Sequence, residues 1–271
     1  MNLKRRKFMT GLGSGILMLG ANRNTFAHTN GLNGTEYGLI PNSKIDQSKT
    51  FQALLDQASN EKRPIFMDAG VYRISNIVLP SFVNIQGIEG ETIVEFSGGE
   101  FIAYAENGEH VSLQNLSFDG KNIKGAGGKE ALLMFEKTKK VILENCIIKN
   151  SANTGLVVSE SSGQISNNHL HNLNGDAALW ALNNKQFQIA SNTIENCANN
   201  GIVVSRLEQG PDNTIVHNNR VVGMAGKKGG SGQWGNGIVN SFNSVGSCGW
   251  NVVHSAVVGM DCIPQRVSLD S

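Results

Sequence analysis

Between Val141 and Asn240 the chain states one sequence phrase four times, and that repetition restricts its fold more than any other feature. Each copy has an apolar residue, two polar residues, a small or amide residue, a free position and a second apolar residue. An Asn/Gly turn and another short apolar run follow. Counting through the copies gives four columns. Leu143, Ile165, Ile189 and Val216 form the first, and Cys146, Asn168, Asn192 and Asn219 the second. Ile148, Leu170, Ile194 and Val221 form the third, and Leu156, Ala178, Ile202 and Ile238 the fourth. The steps along the second column are 22, 24 and 27 residues. An earlier copy, Val111–Phe118, places Leu116 in that column, and its step of 30 leaves room for the Gly-rich excursion 120–129.

A period of this size marks a stacked repeat, in which no single unit can bury its apolar side alone. The local alternation has period two, so the units are strands rather than helices. Short strands with frequent turns predict an all-β chain wound as a parallel β-helix, each coil roughly 4.8 Å above the last. A β-sandwich also has short strands, but it does not repeat side chains in register. Buried amides stacked at a bend can bond to one another and to the turn backbone, so an Asn ladder is expected.

The 271 residues are 17% charged with a net charge of +1, which suits one globular unit. That near-neutral balance offers no electrostatic basis for binding nucleic acid or acidic lipid. Residues 1–27 read as an export signal: Lys4, Arg5, Arg6 and Lys7, then a mildly apolar run, then Thr25-Phe26-Ala27. The apolar run is too short to span a bilayer, so no stable membrane insertion is expected. Arg5-Arg6-Lys7-Phe8-Met9 fits the twin-arginine pattern, with Lys4 where Ser or Thr is usual. Residues 28–45 read as a polar linker. Residues 46–60 read as a helix with Asp46 or Ser48 at its N-cap, and with Phe51, Leu54, Leu55 and Ala58 on one face. Such a helix would cap the open end of the first coil. The β-helix is assigned to residues 61–240. Residues 241–271 lack the repeat unit and read as an atypical tail, arising by truncation or a shifted reading frame, or else as a natural cap.

The opening coils also carry a resemblance. Phe51-Gln-Ala-Leu-Leu, Pro64-Ile-Phe-Met-Asp-Ala-Gly-Val-Tyr-Arg-Ile and Leu79-Pro-Ser-Phe-Val-Asn-Ile-Gln-Gly resemble the start of pectate-lyase-like (pectin-lyase-like) right-handed β-helices. With the twin-arginine start and Gly230-Ser-Gly-Gln-Trp-Gly-Asn-Gly-Ile, the chain resembles the twin-arginine-translocated uncharacterised repeat proteins over about residues 1–240. That family carries no assigned activity. The resemblance therefore implies a right-handed fold and export, by the twin-arginine translocase, to the periplasm or beyond.

Function must come from outward ladders and loops, because inward residues build the core. Asp119, Lys149, His171 and Glu195 fall at one outward position on successive coils and are the candidate acid–base line. The alternative is that alternating charges simply neutralise one another on a solvated sheet. His169 shares a column with Arg220, and both are candidate ligand contacts, as are Trp234 and Asn236 in the loop 223–236. No tight aspartate pair of polygalacturonase type is present. Val157, Leu179, Val203 and Val239 are expected to form an outward apolar stripe on another sheet. Cys146 and Cys197 fall inward and too far apart to bridge, whereas Cys248 and Cys262 are free to pair in an oxidising compartment. No ligand spacing for a metal is present, and no cofactor is expected. The chain is therefore expected to be a monomeric exported protein that binds or acts on polysaccharide. If it is an enzyme, a lyase or glycoside hydrolase is indicated. A structural or adhesive envelope protein, or an inactive truncated relative, is the alternative.

Overall fold

The computed structural model describes residues 30–127, 131–207, 213–227, 235–240, 247–248, 252–254 and 258–262, with side chains as far as Val239. The segment read as an export signal lies outside them. Three parallel sheets wrap one core. Among the described residues, sheet 1 has nine strands from Leu32–Asn33 to Ser247–Cys248. Sheet 2 has eight, from Gly70–Ile74 to Val252–His254, and sheet 3 has eight, from Ile77–Leu79 to Val258–Cys262. The chain visits the sheets in turn, and each strand pairs in parallel with its counterpart one coil away. This is the parallel β-helix that the repeat predicts.

Five successive corners between sheets 1 and 2 each turn on one residue in the left-handed region: Asn115, Asn145, Asn167, Ser191 and Asn218, with φ of 52° to 58°. Asn tolerates that region better than other non-glycine residues, which explains the abundance of Asn at these positions. The next residue in each corner points inward and forms the ladder. Asn192 Nδ2 donates to Ile165 O at 3.0 Å and to Asn219 Oδ1 at 2.9 Å, and Asn192 Oδ1 accepts from the Asn168 backbone at 3.0 Å. Asn168 Oδ1 accepts in turn from the Cys146 backbone at 2.8 Å. All three amides are at most 2% exposed. A second, shorter ladder runs between sheets 3 and 1, where Asn184 Oδ1 accepts from Ser161 N and Ser161 Oγ from Thr138 N.

The first three columns hold as counted: Leu143 pairs with Ile165, Ile148 with Leu170, and Ile194 with Val221. The fourth is corrected by one residue. Leu179, not Ala178, pairs with Leu156 and Ile202 and is fully buried. Ala178 falls in a crowded column with Gly155 and Gly201. A Cβ at Gly155 would meet Leu173 Cδ1 at 2.6 Å, and one at Gly201 would meet Gly237 O at 2.4 Å. That column admits only small residues, so Leu179 takes the roomier place. The outward stripe of sheet 3 consequently runs Val157, Trp180, Val203 and Val239, and Trp180 Nε1 donates to Ser205 Oγ at 2.8 Å.

Residues 30–45 are not a linker. Leu32–Asn33 pairs with Ile65–Phe66, a 3-10 turn covers Gly34–Tyr37, and Leu39 is buried. Helix α1 (Ser48–Glu61) buries Phe51, Leu54, Leu55 and Ala58, and Asp46 Oδ1 accepts from Ser48 N at its start. Phe51 borders a small apolar void of about 20 Å³ with Met67, Ile77 and Leu79. These elements close all three sheet edges at this end. Leu32–Asn33 covers sheet 1, and the Asn42 and Gln47 N–H groups bond Val71 O and Arg73 O of sheet 2. Gln52 imitates a strand against sheet 3, donating to Val78 O at 2.8 Å and accepting from Val78 N at 3.0 Å. An unpaired edge would otherwise invite pairing with another chain.

The coil also continues past Asn240. Ser247–Cys248, Val252–His254 and Val258–Cys262 join sheets 1, 2 and 3 in parallel register. With a step of 32 residues, Cys248-Gly-Trp-Asn-Val-Val253 repeats the unit of Val216–Val221, Cys248 standing in the first apolar column. Cys146 and Cys197 are free, and burial pushes both thiols up to about 12, so they serve as core. The side chains of Cys248 and Cys262 lie outside the described part.

Two outcomes check this architecture. Asn192→Ala leaves Ile165 O and two Asn168 donors without partners, and is expected to lower unfolding free energy by ~3 kcal/mol in denaturant titration. Gln52→Ala removes two edge bonds at a more exposed site, and the same titration is expected to show a loss of about 1 kcal/mol.

Candidate functional site

The outer face of sheet 2 carries two side-chain columns. One runs Arg73, Glu95, Asp119, Lys149, His171, Glu195 and Val222. The other includes Ile147, His169, Thr193 and Arg220. The four acid–base candidates therefore stand on consecutive coils in the order read from the sequence, and His169 aligns with Arg220 through Thr193.

Charge alternation decides how these groups pair. Arg73 Nε meets Glu95 Oε1 at 3.0 Å, and Lys121 Nζ lies 3.5 Å from Glu95 Oε2. Lys149 Nζ stands 3.7 Å from Asp119 Oδ2, while Asp119 Oδ1 accepts from Lys121 N and Asn150 Nδ2. Glu195 receives the Arg220 guanidinium on one oxygen and His169 Nε2 at 3.3 Å on the other. The Arg220 hydrogen bond holds the Glu195 carboxyl below its ordinary value, assisted by His169.

His171 differs from its neighbours. Its ring lies 4.5 Å from that of His169, centroid to centroid, on the same strand. Partial burial lowers its pKa, and nearby His169 and Lys149 add to that effect against the opposing pull of Glu195 and Asp119. Among the described residues no group hydrogen-bonds to its imidazole. Its charged form is disfavoured, and its ring is open to whatever lies on the face.

Beside the second column, at the corner between sheets 1 and 2, lies an open depression of about 580 Å³. Glu89, Asn145, Asn167, Asn168, His169, Ser191, Thr193 and Glu195 line it. Its floor follows from the fold, because the left-handed corner residues Asn145, Asn167 and Ser191 stack there one per coil. The depression takes in Glu195 and His169 and leaves Asp119, Lys149 and His171 along its flank. Sequence reasoning missed Glu89, Asn145, Asn167, Ser191 and Thr193. The repeated Asn just before the ladder column was the signal available for the corner residues.

Two further candidates fall elsewhere. Asn236 is 3% exposed, and its backbone and side-chain N–H groups both bond Asn200 Oδ1, so it is engaged inside the coil rather than facing a ligand. Trp234 lies outside the described residues. Among the described residues no group of three or more His, Cys, Asp or Glu is arranged to hold a metal ion, and no helix is long and apolar enough to cross a membrane.

A three-sided coil with a polar outer ladder defines a class, and the sequence agrees with it: residues 88–262 match the right-handed β-helix region family, to which this chain belongs. No curated protein sequence matches it. Among solved structures it is similar to the N-terminal fragment of bacteriophage Phi29 gene product 12, with a TM-score of 0.65 and 17% identity over 82% of this chain. It is also similar to ORF18 of Geobacillus virus E2, with a TM-score of 0.59 and 15% identity over 81% of this chain. A third is Pantoea stewartii WceF, described as a glycan biofilm modifying enzyme with a tailspike-like parallel β-helix, with a TM-score of 0.52 and 13% identity over 86% of this chain. The chain spans 41%, 48% and 39% of these three structures' lengths. At such identities the likeness is one of fold.

The charge pairing yields a titration test. Arg220→Ala is expected to raise the Glu195 carboxyl toward its ordinary value of 4.5, followed by carboxyl carbon shifts in NMR. The sign for stability follows. A lowered carboxyl stabilises the fold above pH 4.5, and that contribution fades as pH falls through the lower folded value. The variant is expected to lose it.

Proposed function

We propose that this chain is an exported polysaccharide-binding β-helix whose ligand lies across the outer face of sheet 2. The observation that carries this reading is the open depression floored by amide and hydroxyl groups beside His169 and Glu195. A sugar polymer presents hydroxyls along its length, and a row of Asn, Ser and Thr repeating at the coil spacing of roughly 4.8 Å offers partners at a comparable interval. WceF, a protein of similar fold, is described as glycan-modifying, which supports the ligand class. The twin-arginine pattern at Arg5-Arg6 supports export in the folded state, in keeping with the resemblance to twin-arginine-translocated repeat proteins.

One observation favours catalysis as a second reading. The charged form of His171 is disfavoured and its ring is unbonded, as proton abstraction from a sugar carbon requires of a base. Glycoside hydrolysis fits less well. Asp119 and Glu195 stand three coils apart, roughly 14 Å at the coil spacing, whereas paired hydrolase carboxylates lie no more than about 9.5 Å apart. Glu95 and Asp119 stand on adjacent coils, but Arg73, Lys121 and Lys149 hold them in ion pairs, so lyase chemistry at His171 is the enzymatic form we favour.

A glycan array probed with the full chain, followed by calorimetry on the strongest binder, tests the primary reading. Glu195→Gln and His169→Ala are each expected to weaken binding about tenfold. A chain that captures no polysaccharide, or variants that bind as the parent does, would leave the structural or adhesive role in its place. For the second reading, new unsaturated chain ends should form and vanish in His171→Gln.

A further inference from the structure

The histidine pair gives the outer face of sheet 2 a charge that depends on pH. With both imidazoles neutral, the groups nearest them balance: Asp119 against Lys149, and Glu195 against Arg220. Farther along the column, Glu95 is held by Arg73 and Lys121. Glu89 faces His169 from the loop across the depression, and uncharged Ile147 and Thr193 flank His169 in its own column.

The two imidazoles are not equivalent. His169 donates toward Glu195 when protonated, so its cation has a partner 3.3 Å away. His171 stands between Lys149 on the preceding coil and Glu195 on the next, with His169 at 4.5 Å, and Glu195 is already engaged by Arg220 and His169. The two rings are close enough that a positive charge on one opposes a positive charge on the other. Each proton adds a positive charge to a face that starts balanced.

We propose that ligand binding here is proton-gated: the His169–His171 pair gains charge as pH falls, converting the face into a cationic strip that holds an anionic polymer in acid and releases it near neutrality. This rests on the polysaccharide reading above and adds the ligand's charge and its control. The anion adds a negative group beside His171 that, unlike Glu195, is not already engaged by Arg220 and His169, so binding and proton uptake reinforce each other.

Dextran sulfate serves as probe because its sulfates stay ionised throughout, so any pH dependence belongs to the protein; dextran is the neutral control. The parent chain is expected to bind dextran sulfate roughly five- to tenfold more tightly at pH 5 than at pH 8, an effect of the size one or two added surface charges produce. His169→Gln/His171→Gln is expected to flatten that dependence, and dextran binding to show none. Equal affinity at both pH values, or a slope that survives the double substitution, overturns the proposal. If dextran sulfate fails to bind while the array yields a neutral glycan, proton gating falls and the polysaccharide reading stands; if the array is silent too, both fall. Imidazole titration by NMR provides a check that needs no ligand. The His171 ring is expected to titrate below its ordinary value of 6.5 and to shift in His169→Gln, and a His171 titration that the His169 substitution leaves unchanged would refute the coupling.

Discussion

A chain that turns three corners in every coil must solve the same backbone problem at each corner, and here the solution is a single left-handed residue followed by an inward group. The corner residue reverses the chain, and the inward amide satisfies the backbone that the corner leaves unpaired. Because Asn168 and Asn192 each bond the coil before and the coil after, and Asn219 bonds the coil before, their geometry fixes coil spacing as well as local shape. Cys146 and Leu116 end the ladder where an amide is no longer present, and apolar packing takes over there. The rest of the fold, including the alignment of the outer columns, follows from that spacing.

Spacing held this firmly makes the outer face a ruled surface. Once Lys149, His171 and Glu195 occupy equivalent positions, their separations are set by the backbone ladder and not by side-chain packing. That explains why neighbouring charges pair so regularly on this face. It also distinguishes the two histidines: they share a strand and face, yet only His169 has a carboxylate partner, because Glu195 also answers to Arg220 from the far side.

Much of this was legible in the sequence because a two-residue alternation and a stacked period leave few choices. The Asn ladder, the capping helix and the Asp119–Glu195 column all rest on positions that repeat. What was hidden lay where repetition lapses. The copy around Ala178 and Leu179 has no glycine to mark the crowded corner, so its register was read one residue early and Trp180 went unnoticed. Residues 30–45 carry no period because they bond to strand edges instead of forming a coil, and only Leu32 and Leu39 betray their burial. Asn236 looked like an exposed loop amide, but its partner Asn200 lies on the preceding coil, out of reach of local pattern. Beyond Asn240 the unit returns as Cys248-Gly-Trp-Asn-Val-Val253, but a step of 32 residues and a Cys in the first apolar column hid it, so the segment was read as a tail.

The sealed first coil gives the molecule a direction. With Leu32–Asn33, the 42–47 segment and Gln52 acting as a stopper, an extra unit of some two dozen residues copied into the middle of the chain would leave that end untouched and displace only what comes after it. Such a duplication above Glu195 would lengthen the column while keeping the histidines at their present height; one below Lys149 would carry them upward as a block. Ligand length and site position could thus be altered separately in this architecture, by choice of where the copy is made.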